Sequence, residues 1–111
     1  MADGPSFHFV SDLLGSVTVP ESGTLSVPVY QDDSTKVILF GFSAGQELSE
    51  HTASVPATIH LLSGRATWTL GKEVFEAKAG SWAQMDAHLP HSITAHEPTV
   101  MLLVMNRAAK C

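Results

Sequence analysis

A chain of 111 residues with 44% hydrophobic and 15% charged residues has the make-up of one modest globular domain, which excludes a disordered chain. Its formal net charge of −5 comes without any basic cluster that could neutralise phosphates, so the sequence argues against nucleic acid as a partner. The longest apolar runs, Val37 to Phe42 and Val100 to Met105, are too short to span a bilayer, and a single cysteine, Cys111, rules out an internal disulfide framework.

Taken along the chain, Met1-Ala2-Asp3-Gly4-Pro5 lacks the basic start and apolar stretch of a secretory signal, so the expected location is the cytoplasm. Phe7, Val10 and Leu14 fall at i, i+3 and i+7 ahead of Gly15, which predicts a short helix over Ser6 to Leu14. The alternative is an irregular arm that packs Phe7 and Phe9 on the rest of the domain. From Val17 the pattern turns to short strands. Leu25, Val27 and Val29 alternate, with Pro28 marking an edge or a bulge, and Asp32-Asp33-Ser34 is a turn signal. Lys36 to Phe42 is apolar on both parities and predicts a strand covered on both faces. Thr58 to Leu62 follows the Ala44-Gly45 break. Arg65 to Leu70 alternates polar and apolar residues, and Gly71-Lys72 fits a two-residue type II′ hairpin into Glu73 to Ala77. Trp82 to Asp86, His91 to Ala95 and Val100 to Met105 complete the set. Short strands at this spacing, with Gly and Pro turns, predict an all-β sandwich or barrel. The expected organisation is an N-terminal arm over 1–16, a barrel over 17–106 and a C-terminal tail over 107–111.

Two stretches carry a resemblance. In the first, Gly45 is followed after five residues by His51, and Gly64 closes the pattern. In the second, Gly80 is followed after ten residues by His91. These resemble the two motifs of the cupin family, and the hairpin between them has the family's length. The wording Glu50-His51-Thr52-Ala53, Ile59-His60-Leu61-Leu62-Ser63-Gly64 and Leu89-Pro90-His91-Ser92 is similar to small single-domain cupins of the RmlC-like superfamily. The resemblance implies a double-stranded β-helix, or jelly-roll, barrel. Departures are as informative. Ala53 stands at the second His and Ala57 at the Glu of the first motif. Asp86, His88 and Ala95 stand where the second has Pro, Gly and Asn.

The resemblance implies His51 and His91 as ligands of a divalent transition metal (Fe, Zn, Mn or Ni), with His88 a candidate third. Imidazole nitrogen suits such ions, but a catalytic zinc usually has three protein ligands. The opposing reading makes His51 and His91 a buried polar pair bonded to each other or to water. Strand parity puts Ala53, Ala57, Ile59 and Leu61 on the face of His51 and sends His60 to the other. The same parity makes Glu47 an inward-capable carboxylate. Ile59, Trp68 and Met85 are candidates for the apolar wall of a pocket, against plain core packing, and Trp82 is core or interface. His8 and His96 read as ordinary solvent-touching residues. The expected function is metal-dependent chemistry on a small organic molecule, oxygenase-like or Lewis-acid. Its rivals are a non-catalytic small-ligand-binding or sensing barrel without metal, and a metal-free isomerase or lyase with a histidine as general acid and base. The resemblance also implies a homodimer paired through edge strands.

Overall fold

The structure, a computed structural model, describes residues 6–106. Its strands are β1 (Thr24–Gln31), β2 (Thr35–Phe42), β3 (Glu47–His51), β4 (Ala57–Ser63), β5 (Arg65–Leu70), β6 (Glu73–Lys78), β7 (Trp82–Met85), β8 (His91–Ala95) and β9 (Thr99–Asn106). They form a five-stranded sheet in the order β1-β2-β9-β4-β7 and a four-stranded sheet in the order β3-β8-β5-β6. Every pairing is antiparallel. The chain crosses from one sheet to the other after β2, β3, β4, β6, β7 and β8, which winds it into a double-stranded β-helix barrel. Among the described residues no helix is long and apolar enough to cross a membrane.

Local chemistry sets the turns. Gly71 sits at φ 63° while Lys72 stays out of the left-handed region, the combination a type II′ turn needs, and β5 and β6 pair in unbroken register from Arg65↔Lys78 to Leu70↔Glu73. Pro28 has no N–H to give a ladder. It lies on edge strand β1, and the register with β2 slips between Pro28 and Tyr30. The Asp32 carboxylate accepts from the Ser34 and Thr35 amides at 2.9 and 2.8 Å and closes the β1–β2 turn.

The helix expected over Ser6 to Leu14 does not form. The segment is irregular up to a single 3-10 turn at Leu14–Ser16. Asp12 supplies the local reason. Its carboxylate accepts from the Gly15 amide at 3.1 Å and its carbonyl from the Ser16 hydroxyl at 2.8 Å, a side-chain turn that competes with a helix too short to nucleate. Nor do Phe7 and Phe9 pack on the barrel; both stand about three-quarters exposed. His8 instead lies against Tyr30, with ring centroids 5.3 Å apart. The tail from Arg107 to Cys111 is outside the described residues.

Parity explains the core. Ala57, Ile59 and Leu61 of β4 face the second sheet and meet Ala66, Trp68, Ile93 and Ala95 of its inner face, with Phe42, Met85 and Met101 filling between them. The opposite face of the five-stranded sheet is also apolar. There Leu39 and Val100 lie under Val17, with Val19 and Val27 alongside. β2 therefore has a covered residue on each side at Leu39 and Phe42, as a strand apolar on both parities requires.

Candidate functional site

His51 ends β3 and His91 begins β8, so both lie at the same end of the four-stranded sheet. They are direct cross-strand partners, and their rings meet edge to face with centroids 4.1 Å apart. His91 is buried at 6% exposure, whereas His51 is open to solvent. The pairing depends on a bulge. Leu48 partners Ile93 and His51 partners His91, so three steps on β3 match two on β8. The extra residue puts both Leu48 and His51 on the inner face. It also corrects the parity expected for Glu47, which partners Thr94 and so shares the outer face with it.

Each imidazole has its tautomer fixed by the backbone. His51 Nδ1 lies 2.9 Å from the Ser49 carbonyl oxygen, and His91 Nδ1 lies 2.9 Å from that of Leu89. A carbonyl can only accept, so each Nδ1 carries the proton. In the neutral ring the lone pair then sits on Nε2, the arrangement of a metal-ligating histidine held by a backbone carbonyl. Burial holds the His91 pKa below its ordinary value, and neighbouring His51 adds to this, while the Leu89 hydrogen bond works the other way. The fold thus favours the neutral, ligand-competent form of His91.

The expected third ligand, His88, is not gathered in. Among the described residues no group of three or more His, Cys, Asp or Glu side chains comes together as a metal site. His88 is exposed, and its backbone takes φ 70° while its amide donates to the Ala53 carbonyl at 2.7 Å. This left-handed position is where the cupin motif has glycine, so a side chain here carries a conformational cost. His88→Gly should raise stability by about 0.5–1 kcal/mol, net of glycine's greater unfolded freedom. Thermal unfolding checks this; a lower midpoint for the variant would show that the His88 side chain makes contacts worth more than its strain.

Ala53 and Ala57 put methyl groups where further ligands would be, and Ala57 is packed into the core. Ile59, Trp68 and Met85 are core residues as well. Of these, Trp68 also lines a cavity of about 330 Å³ between β6 and β7, shared with Leu70, Phe75, Glu76, Ala77, Ser81, Trp82 and Ala83. A second cavity, about 390 Å³, lies between the N-terminal segment and the outer face of the five-stranded sheet and includes His8, Val10, Tyr30 and Leu102. His60 faces outward opposite Trp82 and Leu102, on the side away from His51. His96 bonds to the Thr67 hydroxyl and lies 3.6 Å from the Glu76 carboxylate on the outer face of the other sheet. One feature that the sequence reading did not include is the Trp68 indole nitrogen, fully buried with no hydrogen-bond partner among the described residues.

A double-stranded β-helix with paired imidazoles at one end of its barrel defines a class of small β-barrel proteins with a polar site set in an apolar core. The sequence model of the cupin domain matches residues 38–105, and the chain belongs to that family. Among solved structures it is similar to a conserved protein of unknown function from Streptococcus pyogenes, at 28% identity and TM-score 0.83, covering 96% of this chain and 93% of that one. It is also similar to an RmlC-like cupin from Desulfovibrio desulfuricans, at 25% identity and TM-score 0.79, covering 90% and 98%. A cupin superfamily protein from Desulfitobacterium hafniense shares the fold at 23% identity and TM-score 0.80, covering 85% and 86%. No curated protein matches the chain.

Proposed function

We propose that the His51–His91 pair holds a divalent transition metal, Fe, Zn, Mn or Ni, and that the protein acts through it on a small organic molecule. The observation that carries this reading is the pair of backbone hydrogen bonds that put both protons on Nδ1 and leave both Nε2 lone pairs available. The donor set suits an ion that keeps most of its coordination positions for water or substrate. When bound, such an ion supplies Lewis acidity or oxygen activation. The chain's own residues do the rest. His91, buried and held neutral, gives a ligand nitrogen that does not compete with a proton near neutral pH. His51, exposed at the end of β3, closes the site on the solvent side.

Elemental analysis tests the reading on protein purified without a nickel column and then exposed to Fe, Zn, Mn and Ni in turn. Wild type should retain about one equivalent of one of them, and His51→Ala and His91→Ala should each lower affinity by about 10-fold or more. Less than about a tenth of an equivalent in wild type would sink the proposal. Saturable binding of a small molecule by such metal-free protein would move the reading to a non-catalytic ligand-binding barrel.

A further inference from the structure

Strands β6 and β7 are each an edge of their sheet, and residues of both line one cavity. The cavity between them, about 330 Å³, is within the range of small-molecule sites. Its rim carries two large rings that the fold leaves in water, Phe75 at 49% exposure and Trp82 at 61%. Exposed aromatics flanking an apolar hollow are the usual make-up of a binding site rather than of a monomer's ordinary surface. The lining also includes Trp68, itself 2% exposed, whose indole nitrogen has no partner among the described residues. A buried N–H left unpaired costs about 1–3 kcal/mol, and other buried polar groups here, such as Thr99, are bonded. Trp68, a residue of this lining, therefore lacks one thing, an acceptor.

We propose that the cleft between β6 and β7 binds a small, planar, uncharged molecule that carries one hydrogen-bond acceptor and places it against Trp68 Nε1. Planarity follows from the rings at the rim and floor, which offer flat faces for stacking. The absence of charge follows from the lining. Its donor, an indole N–H, cannot meet a cation, and a net charge of −5 disfavours an anion. The nitrogen is closed to solvent in this conformation, so a ligand reaches it only when side chains of the lining move aside. Neighbouring positions give the site a direction. Trp68 partners Phe75 on one side and Ile93 on the other, and Leu70, also in the lining, partners His91. The inner end of the cleft thus lies one strand from the imidazole pair. The proposal requires no metal there and stands whether or not one binds.

Two probes of nearly identical shape separate stacking from the hydrogen bond: acetophenone, which has a carbonyl acceptor, and α-methylstyrene, in which carbon replaces that oxygen. In ¹⁵N-labelled Trp82→Phe protein the Trp68 indole supplies the one tryptophan N–H signal. Acetophenone should shift that signal saturably, and α-methylstyrene should bind about 3- to 10-fold more weakly, the value of one neutral hydrogen bond. In Trp68→Phe the two probes should bind equally, and Phe75→Ser, a change on an exposed edge residue, should weaken both. Equal affinity of the probes in the Trp68-containing protein would overturn the proposal, as would the absence of any saturable shift. A Trp68 signal that moves with protein concentration alone would overturn it too, because a second copy of the chain would then be covering the cleft.

Discussion

Gly64→Ala should cost about 2–5 kcal/mol, a large share of the roughly 5–15 kcal/mol that holds a domain of this size folded. Gly64 lies between β4 and β5 with φ 93°, a conformation in which a Cβ is strained wherever it occurs. Here the Cβ would also fall 2.5 Å from the Pro98 carbonyl oxygen and 2.7 Å from the Thr99 Cα. These are backbone atoms and cannot rotate away. Thr99 is fully buried, and its hydroxyl lies 2.7 Å from the Glu97 carbonyl oxygen and 3.2 Å from that of Arg65, so shifting it would disturb the turn into β9 and the start of β5 together. Gly45→Ala provides the comparison. Gly45 has φ 83° but nothing within 4 Å of its Cβ position, so it should show only the conformational cost, about 1 kcal/mol. Each kcal/mol moves the midpoint by roughly 4 °C or more in a domain near this length. Equal midpoints for the two variants in thermal unfolding would mean that the close approach at Gly64 is not real.

That contrast bears on what the sequence could reveal. Gly64 was legible as a motif position, but its spacing does not tell a free turn from one wedged against Pro98 and Thr99. Where local chemistry decides, reading was direct. The alternation of Arg65 to Leu70 became β5, and Gly71 turned the hairpin. His60 went to the outer face by simple parity. Parity failed at Glu47 because a bulge adds a residue without any mark in composition; neither Ser49 nor Glu50 is a glycine or proline. The N-terminal segment failed for another reason. Three apolar residues at helical spacing do not outweigh a local Asp12 turn in a segment too short to nucleate a helix. The His51–His91 pairing followed from the motifs. The backbone bonds that fix their tautomers, and the unpaired nitrogen of Trp68, follow only from tertiary placement.

Ile93→Ala should destabilise the protein by about 2–5 kcal/mol, and Ile93→Val by about 0.5–1.5 kcal/mol. Ile93 is 1% exposed on the central part of β8. It partners Leu48 across one edge and Trp68 across the other, and Trp68 in turn partners Phe75, so one row of side chains runs Leu48–Ile93–Trp68–Phe75 over the inner face of the sheet. The next row on that face, at the ends of the three strands, is His51–His91–Leu70. Truncation at Ile93 removes the residue that braces both rows, and the cavity it leaves adjoins Trp68 and lies two residues from His91. Urea unfolding is the direct measurement. The midpoint should fall with the slope unchanged, because the loss is one of packing and not of compactness. A cost below about 1 kcal/mol would mean that the inner face is not packed around Ile93 as described. A second consequence distinguishes a braced sheet from two independent sites. If row packing holds the imidazoles in place, the alanine variant, measured well below its unfolding midpoint, should hold the metal proposed for the pair less tightly although neither histidine has changed. If metal affinity stays at the wild-type level while stability falls, the backbone bonds from Ser49 and Leu89 are sufficient to hold the pair without the core behind it.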